Sequence, residues 1–225
     1  MKVEGTLGSI ADEDIAQAWK TRWPDVARCS RAAQARLSYL TGTVQLKLRI
    51  GPDGIAKRAY VERSDLGNYE AERCVLEIAR ALQFPKPHGG SEAEFSFPIE
   101  VRARPSAPWV VAWEEARILP SVLRGKKDIG ECKGDAPADV AHAPHKGKKH
   151  AATPPTVART PLKDLPAGLA MTLYIAPGGR VMSVGFAAEG PIDDTFAACL
   201  SDRAHKWKLD DPRSQIAKAT VGVSP

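Results

Sequence analysis

The sequence predicts an α+β protein built from one structural unit used twice, and three observations carry that expectation. Two tight-turn signatures, Gly51-Pro52-Asp53-Gly54 and Ala176-Pro177-Gly178-Gly179, each lie between two strand-like segments. A helical segment bearing a cysteine follows each turn. Adding 125 to Pro52, Gly54 and Cys74 lands on Pro177, Gly179 and Cys199, so turn and cysteine repeat in one register. Self-similarity of this kind is the mark of a duplicated supersecondary unit. A chain of 225 residues holds two domains of about 100. The expected boundaries are residues 1–104 and 105–225.

In the first unit, Ile10, Ile15, Ala18, Trp19 and Val26 recur at helical spacing, which predicts a helix from Asp12 to about Arg28. Asp12 suits its N-cap, Glu13 and Asp14 suit its positive end, and Pro24 breaks or restarts it. Val44, Leu46, Leu48 and Ile50 then alternate with polar residues, as in a strand with one dry face. Pro52 pre-sets φ in the turn and Gly54 accepts positive φ. Residues 55–63 read as the return strand and residues 69–82 as a helix. Phe95, Phe97, Ile99 and Val101 alternate as a third strand. Pro98 within it donates no ladder hydrogen bond, which argues for a sheet edge.

The second unit repeats this order, with a helix at 113–123, strands at 169–176 and 180–187, a helix at 193–207 and a last strand at 216–223. Trp207-Lys208-Leu209 stands at the same offset as Leu82-Gln83-Phe84, an apolar anchor after each second helix. The register breaks once. Cys29 to Gly54 is 25 residues and Cys132 to Gly179 is 47, and the surplus falls in residues 134–165, rich in Pro, Ala, Lys and Gly. That stretch reads as an exposed, disordered insertion in place of the short link at 30–41. A proline-containing linker at 103–110 joins the units.

Composition bounds the function loosely. The net charge of +5 permits weak contact with anionic polymer or lipid, but a plain solvated surface with some excess lysine is the favoured reading. No run approaches the ~20 apolar residues of a membrane helix, and the first residues lack the apolar core of a secretory signal.

Several ordered motifs resemble one family. Gly5-Thr6-Leu7, the run Leu40-Thr41-Gly42-Thr43-Val44-Gln45-Leu46-Lys47-Leu48-Arg49-Ile50-Gly51-Pro52-Asp53-Gly54, Val61-Glu62-Arg63-Ser64-Asp65-Leu66, Gln83-Phe84-Pro85-Lys86-Pro87-His88-Gly89-Gly90 and Phe95-Ser96-Phe97-Pro98-Ile99 are similar to the TonB-like C-terminal domain. The resemblance is to the cysteine-bearing variant found in myxobacterial gliding-motility proteins of the AgmX/PglI type. It covers residues 5–102 well and the second unit less fully, since that copy lacks the Phe-Pro-x-Pro-x-Gly-Gly loop. It implies a three-stranded antiparallel sheet with two helices on one face in each unit. It also implies an envelope location, here expected to be periplasmic or cell-envelope, and a protein-binding rather than catalytic role. The expected partners are envelope proteins, in transport or motility, with neither nucleic acid nor cofactor involved. In TonB itself, partners add a strand to the sheet edge. The expected partner-binding edges are Phe95, Phe97 and Ile99 in the first unit and Ile216, Lys218 and Thr220 in the second. The second edge holds no proline, and a proline at Ala219 is expected to abolish binding without unfolding. A homodimer or self-assembling subunit, and a binding module for cell-wall polymer or anionic lipid, are the alternatives.

The four cysteines, Cys29, Cys74, Cys132 and Cys199, are spaced too widely for a redox CxxC or a zinc knuckle. They allow three disulfide connectivities or four free thiols. The repeat favours Cys29–Cys74 and Cys132–Cys199, one bond per unit, which suits an oxidising compartment. His142, His145 and His150 lie among lysines in the insertion, a poor setting for a cation, so no metal site is expected. Trp19, Trp113 and Trp207 read as core residues and Trp109 as packing at the junction. Ser64-Asp65 and Ser201-Asp202 have no histidine in a suggestive context and no phosphate-binding loop is present, so nothing points to an enzyme.

Overall fold

A computed structural model describes residues 7–133 and 164–223. The fold is α+β, with six helices and two sheets among the described residues. The expected insertion, with its three histidines, lies outside the described residues except at Asp164 and Leu165.

The first unit opens with α1 (Asp12–Lys20) and α2 (Trp23–Arg36). Pro24, in the first turn of α2, restarts the helix there, because its ring cannot continue an N–H ladder but is pre-set for a first turn. One expected helix is therefore two, and part of the expected link at 30–41 is helical. Strands β1 (Gly42–Ile50) and β2 (Ala56–Ser64) form an antiparallel hairpin, α3 (Tyr69–Arg80) follows, and β3 (Ala93–Val101) pairs with β1. The order is β2-β1-β3, all antiparallel. Val44, Leu46, Leu48 and Ile50 are fully buried against Trp19, Val26, Val75 and Ala79 of the helices. Asn68 caps α3 by accepting the Ala71 N–H.

The second unit begins with β4 (Val110–Trp113), then α4 (Glu115–Leu123) and α5 (Lys126–Lys133). After the undescribed stretch come β5 (Ala170–Ala176), β6 (Arg180–Ala187), α6 (Asp194–Ala204) and β7 (Ile216–Gly222). The sheet order is β4-β7-β5-β6, with β4 parallel to β7. Both units hold three helices rather than the two expected, and the second sheet has a fourth strand. That strand is hidden in the sequence because Val110–Trp113 is short and falls between the linker expected at 103–110 and the helix expected from 113.

The repeat extends to backbone hydrogen bonds. Phe84 N–H donates to the Gly54 carbonyl at 2.9 Å, and Leu209 N–H donates to the Gly179 carbonyl at 2.8 Å. Both glycines have φ near +75°. A Cβ on either would sit about 2 Å from the carbonyl oxygen of Phe84 or Leu209, so only glycine lets the hairpin tip meet the segment after the helix.

The units are packed together rather than strung on a linker. Strand β1 alternates between buried and more exposed residues, but β5 is buried along both faces. Met171, Leu173 and Ile175 face their own helices, with Phe196 and Leu200 in the same core. Tyr174 and Ala187, with Met182 and Ile216, join the core of the first unit.

Candidate functional site

The sheet edges were the expected binding surface, and the structure sorts them into closed and open ones. Strand β7 is not an edge. It lies between β4 and β5: Lys218 is paired on both sides, Ile216 with β4 and Thr220 with β5. Their side chains make contacts within the chain, although Thr220 is exposed. Ile216 packs on the first unit's core. Lys218 Nζ donates to the Thr41 carbonyl at 2.9 Å and pairs with Asp65 at 3.1 Å. The Thr220 and Thr172 hydroxyls bond at 2.8 Å, and Thr172 also donates to the Ser64 carbonyl. A proline at Ala219, which is buried, would break a central ladder and destabilise the fold. The residues read as a site for a foreign partner mostly hold the chain's own other half.

The inner edges, β2 and β6, face each other across this interface. Ala188 N–H donates to the Val61 carbonyl at 3.0 Å. Beside that bond a carboxylate takes the place of a strand. Glu72 of α3 is buried between the units and accepts from Phe186 N–H of β6 at 2.8 Å, from the Ser64 hydroxyl at 2.6 Å and from Gly67 N–H at 3.2 Å. Burial pushes its carboxyl above the usual range, and these donors oppose that rise. Gly185 makes room for it: a Cβ there would lie 2.2 Å from Glu72 Oε1. Ser183 donates to the Gly67 carbonyl and accepts from Asn68. The Tyr174 hydroxyl donates to the Thr41 carbonyl at 2.9 Å and accepts the Thr41 N–H at 3.2 Å, and burial holds its pKa up at about 12. No signal in the sequence marked Glu72, since a helical glutamate ordinarily reads as solvated.

Two outer edges remain, β3 and β4. Next to β3, Gly8 bridges Ala93 in parallel, and Gly8 N–H donates to the Glu92 carbonyl at 2.7 Å. Outward-pointing backbone groups therefore fall on even residues, and along β3 they belong to Glu94, Ser96, Pro98 and Glu100. Pro98 sits where its missing N–H removes no bond to β1, although it leaves a gap in the outer row of donors. Beyond Glu94 this edge pairs with nothing else among the described residues. Ile99 is buried, and Phe95 and Phe97 are partly buried, on the core side. Trp19 stacks on Phe97 with ring centroids 4.8 Å apart, and half-exposed Trp23 lies 6.4 Å from the same ring. The β4 edge is only four residues long.

Both disulfides are present, Cys29–Cys74 tying α2 to α3 and Cys132–Cys199 tying α5 to α6. No helix among the described residues is long and apolar enough to cross a membrane. Two disulfides and no such helix are compatible with an extracytoplasmic location. Among the described residues no group of His, Cys, Asp or Glu is placed to hold a metal ion. The fold and its edges define a duplicated α+β protein with one long open strand. Comparison with protein-family models, curated proteins and solved structures finds no match.

Proposed function

We propose that the chain is a non-catalytic protein-binding module of a bacterial cell envelope that receives an extended partner segment on the outer edge of β3. The single observation carrying this reading is that edge: nine residues long, unpaired beyond Glu94 among the described residues, and bordered by Phe95, Phe97 and Trp23. A strand added there gains main-chain hydrogen bonds from Ser96 and Glu100 and apolar contact on the core side. The resemblance to TonB-like C-terminal domains, and to motility or transport assemblies, agrees with this mode. Envelope proteins, including outer-membrane and motility components, are the proposed partners.

Ser96→Pro tests the reading. Position 96 points its N–H away from β1, as position 98 does, so the substitution removes an outer donor and leaves the inner ladder intact. Partners recovered by crosslinking from envelope fractions should be lost with S96P and kept with S96A, which controls for the lost Ser96–Glu62 hydrogen bond. Equal recovery by S96P and wild type would refute the assignment.

A further inference from the structure

The two units fill one equivalent place differently. Adding 103 carries Ile15, Val26 and Cys29 onto Ile118, Ile129 and Cys132, each pair buried alike. The same offset carries Trp19 onto Val122 and Trp23 onto Lys126. Adding 124 carries Ala93, opposite Gly8, onto Ala217, opposite Val111, and carries Phe97 onto Val221. In the first unit Trp19, Trp23 and Phe97 form a contiguous aromatic cluster, with centroid separations from 4.8 to 6.4 Å. In the second unit their counterparts are two valines and a lysine, and nothing described refills the space. A groove of about 150 Å³ opens there, walled by Val122, Ile129, Leu165 and Val223, with Leu123 and Lys126 on its rim.

Its size and chemistry specify an occupant. An apolar cavity of about 150 Å³ accepts a benzene-sized group, far short of the ~300–1,000 Å³ of an ordinary small-molecule site. It suits one aromatic anchor. The sister unit shows that an indole fits the equivalent place, and Lys126 on the rim offers an ammonium to the face of a ring. The 30 residues between Lys133 and Asp164 contain no Phe, Tyr or Trp to supply it. Trp109 does match. It is 80% exposed, the most exposed of the large apolar side chains, and residues 106–111 around it carry no charge that the basic rim would repel. It cannot serve its own groove. Val110 lies opposite Ile216 at the start of β7, and Val223 lies seven residues further on, about 23 Å away at strand rise.

We propose that Trp109 of one copy inserts into the groove of a second copy, so that the chain associates head to tail. Knob and hole occupy different places on one surface, and used head to tail, rather than exchanged reciprocally between two copies, they make a heterologous contact. It extends into a chain of copies unless the geometry closes a ring. This association is independent of strand binding at β3.

Sedimentation velocity of the full chain over a concentration series tests it. The weight-average mass should climb from the 24.2 kDa monomer and pass the dimer value without a plateau there. W109A removes the knob. L123E places a charge at the exposed rim without touching the core. Each should stay monomeric alone. Mixed in equal amounts, they should form a dimer that grows no further, since W109A supplies only a hole and L123E only a knob. Wild type remaining at monomer mass, or W109A associating like wild type, overturns the proposal. Association by L123E like that of wild type would exclude this groove as the hole and overturn it equally.

Discussion

Glu72→Ala should loosen the join between the two units by a measurable amount. The substitution removes the acceptor for two buried backbone donors, Gly67 N–H and Phe186 N–H, and for the Ser64 hydroxyl. The hydroxyl can rotate to another acceptor, but the two amides cannot. Each stranded amide costs about 1–3 kcal/mol. Part of that returns, because a carboxylate held away from water no longer has to be kept there. The net loss should be about 2–4 kcal/mol, read from urea unfolding followed by far-ultraviolet circular dichroism. The pH dependence has a definite sign. Burial raises the carboxyl of Glu72 in the folded chain, so the folded state holds its proton more tightly than the unfolded state does. Its favourable contribution is complete below the unfolded value and is lost as pH rises through the folded value. E72Q, which cannot titrate, should lack that declining component. Gly185→Ala reaches the same carboxylate from the other side and should cost a comparable amount, because its Cβ would stand 2.2 Å from Oε1. A loss below about 1 kcal/mol in E72A, or an unchanged pH slope in E72Q, would refute the role given to this group.

Trp19 is fully buried and its indole N–H has no partner among the described residues, so W19A should cost about 3–5 kcal/mol while W19F costs much less than its lost volume implies, both by chemical denaturation. Tyr174 should resist ionisation until about pH 12 in an ultraviolet difference titration, and its stabilising contribution, whole below pH ~10, should fade as pH climbs to that value. Y174F should cost about 1–2 kcal/mol through the two bonds to Thr41. Reducing the disulfides, which close loops of 45 and 67 residues, should lower stability by about 2–4 kcal/mol each, seen as a fall in the urea midpoint with added dithiol.

Much of this fold can be read from local chemistry. Gly54 and Gly179 announce their hairpins because a tight turn needs positive φ, and the alternation from Val44 to Ile50 announces a strand with one wet face. What escapes such reading depends on the surroundings. Residues 170–176, Ala-Met-Thr-Leu-Tyr-Ile-Ala, hold no charge, and such a run signals a strand covered on both faces. Taken one strand at a time it suggests only a strand, not that the second face rests on the other unit. Strand β7 reads as an edge because nothing in Ile216–Gly222 reveals that Val110–Trp113 will lie beside it. Lys218 looks like a surface lysine until Thr41 and Asp65 are brought to it. Glu72 and Gly185 are ordinary letters in their own segments and acquire meaning only together.

The Cys132–Cys199 bond has a consequence for how this protein can vary. The undescribed stretch lies wholly inside the loop that this bond closes, between Lys133 and Asp164. Because the bond joins α5 to α6 directly, the position of either helix does not depend on how many residues run between them. Closing a loop of 67 rather than 45 residues costs only about 0.4 kcal/mol more, since the entropy grows as the logarithm of length. In loop-closure entropy alone, a change in the number of residues between Lys133 and Asp164 carries almost no penalty. The first unit, with a short turn between α2 and β1, has no such freedom.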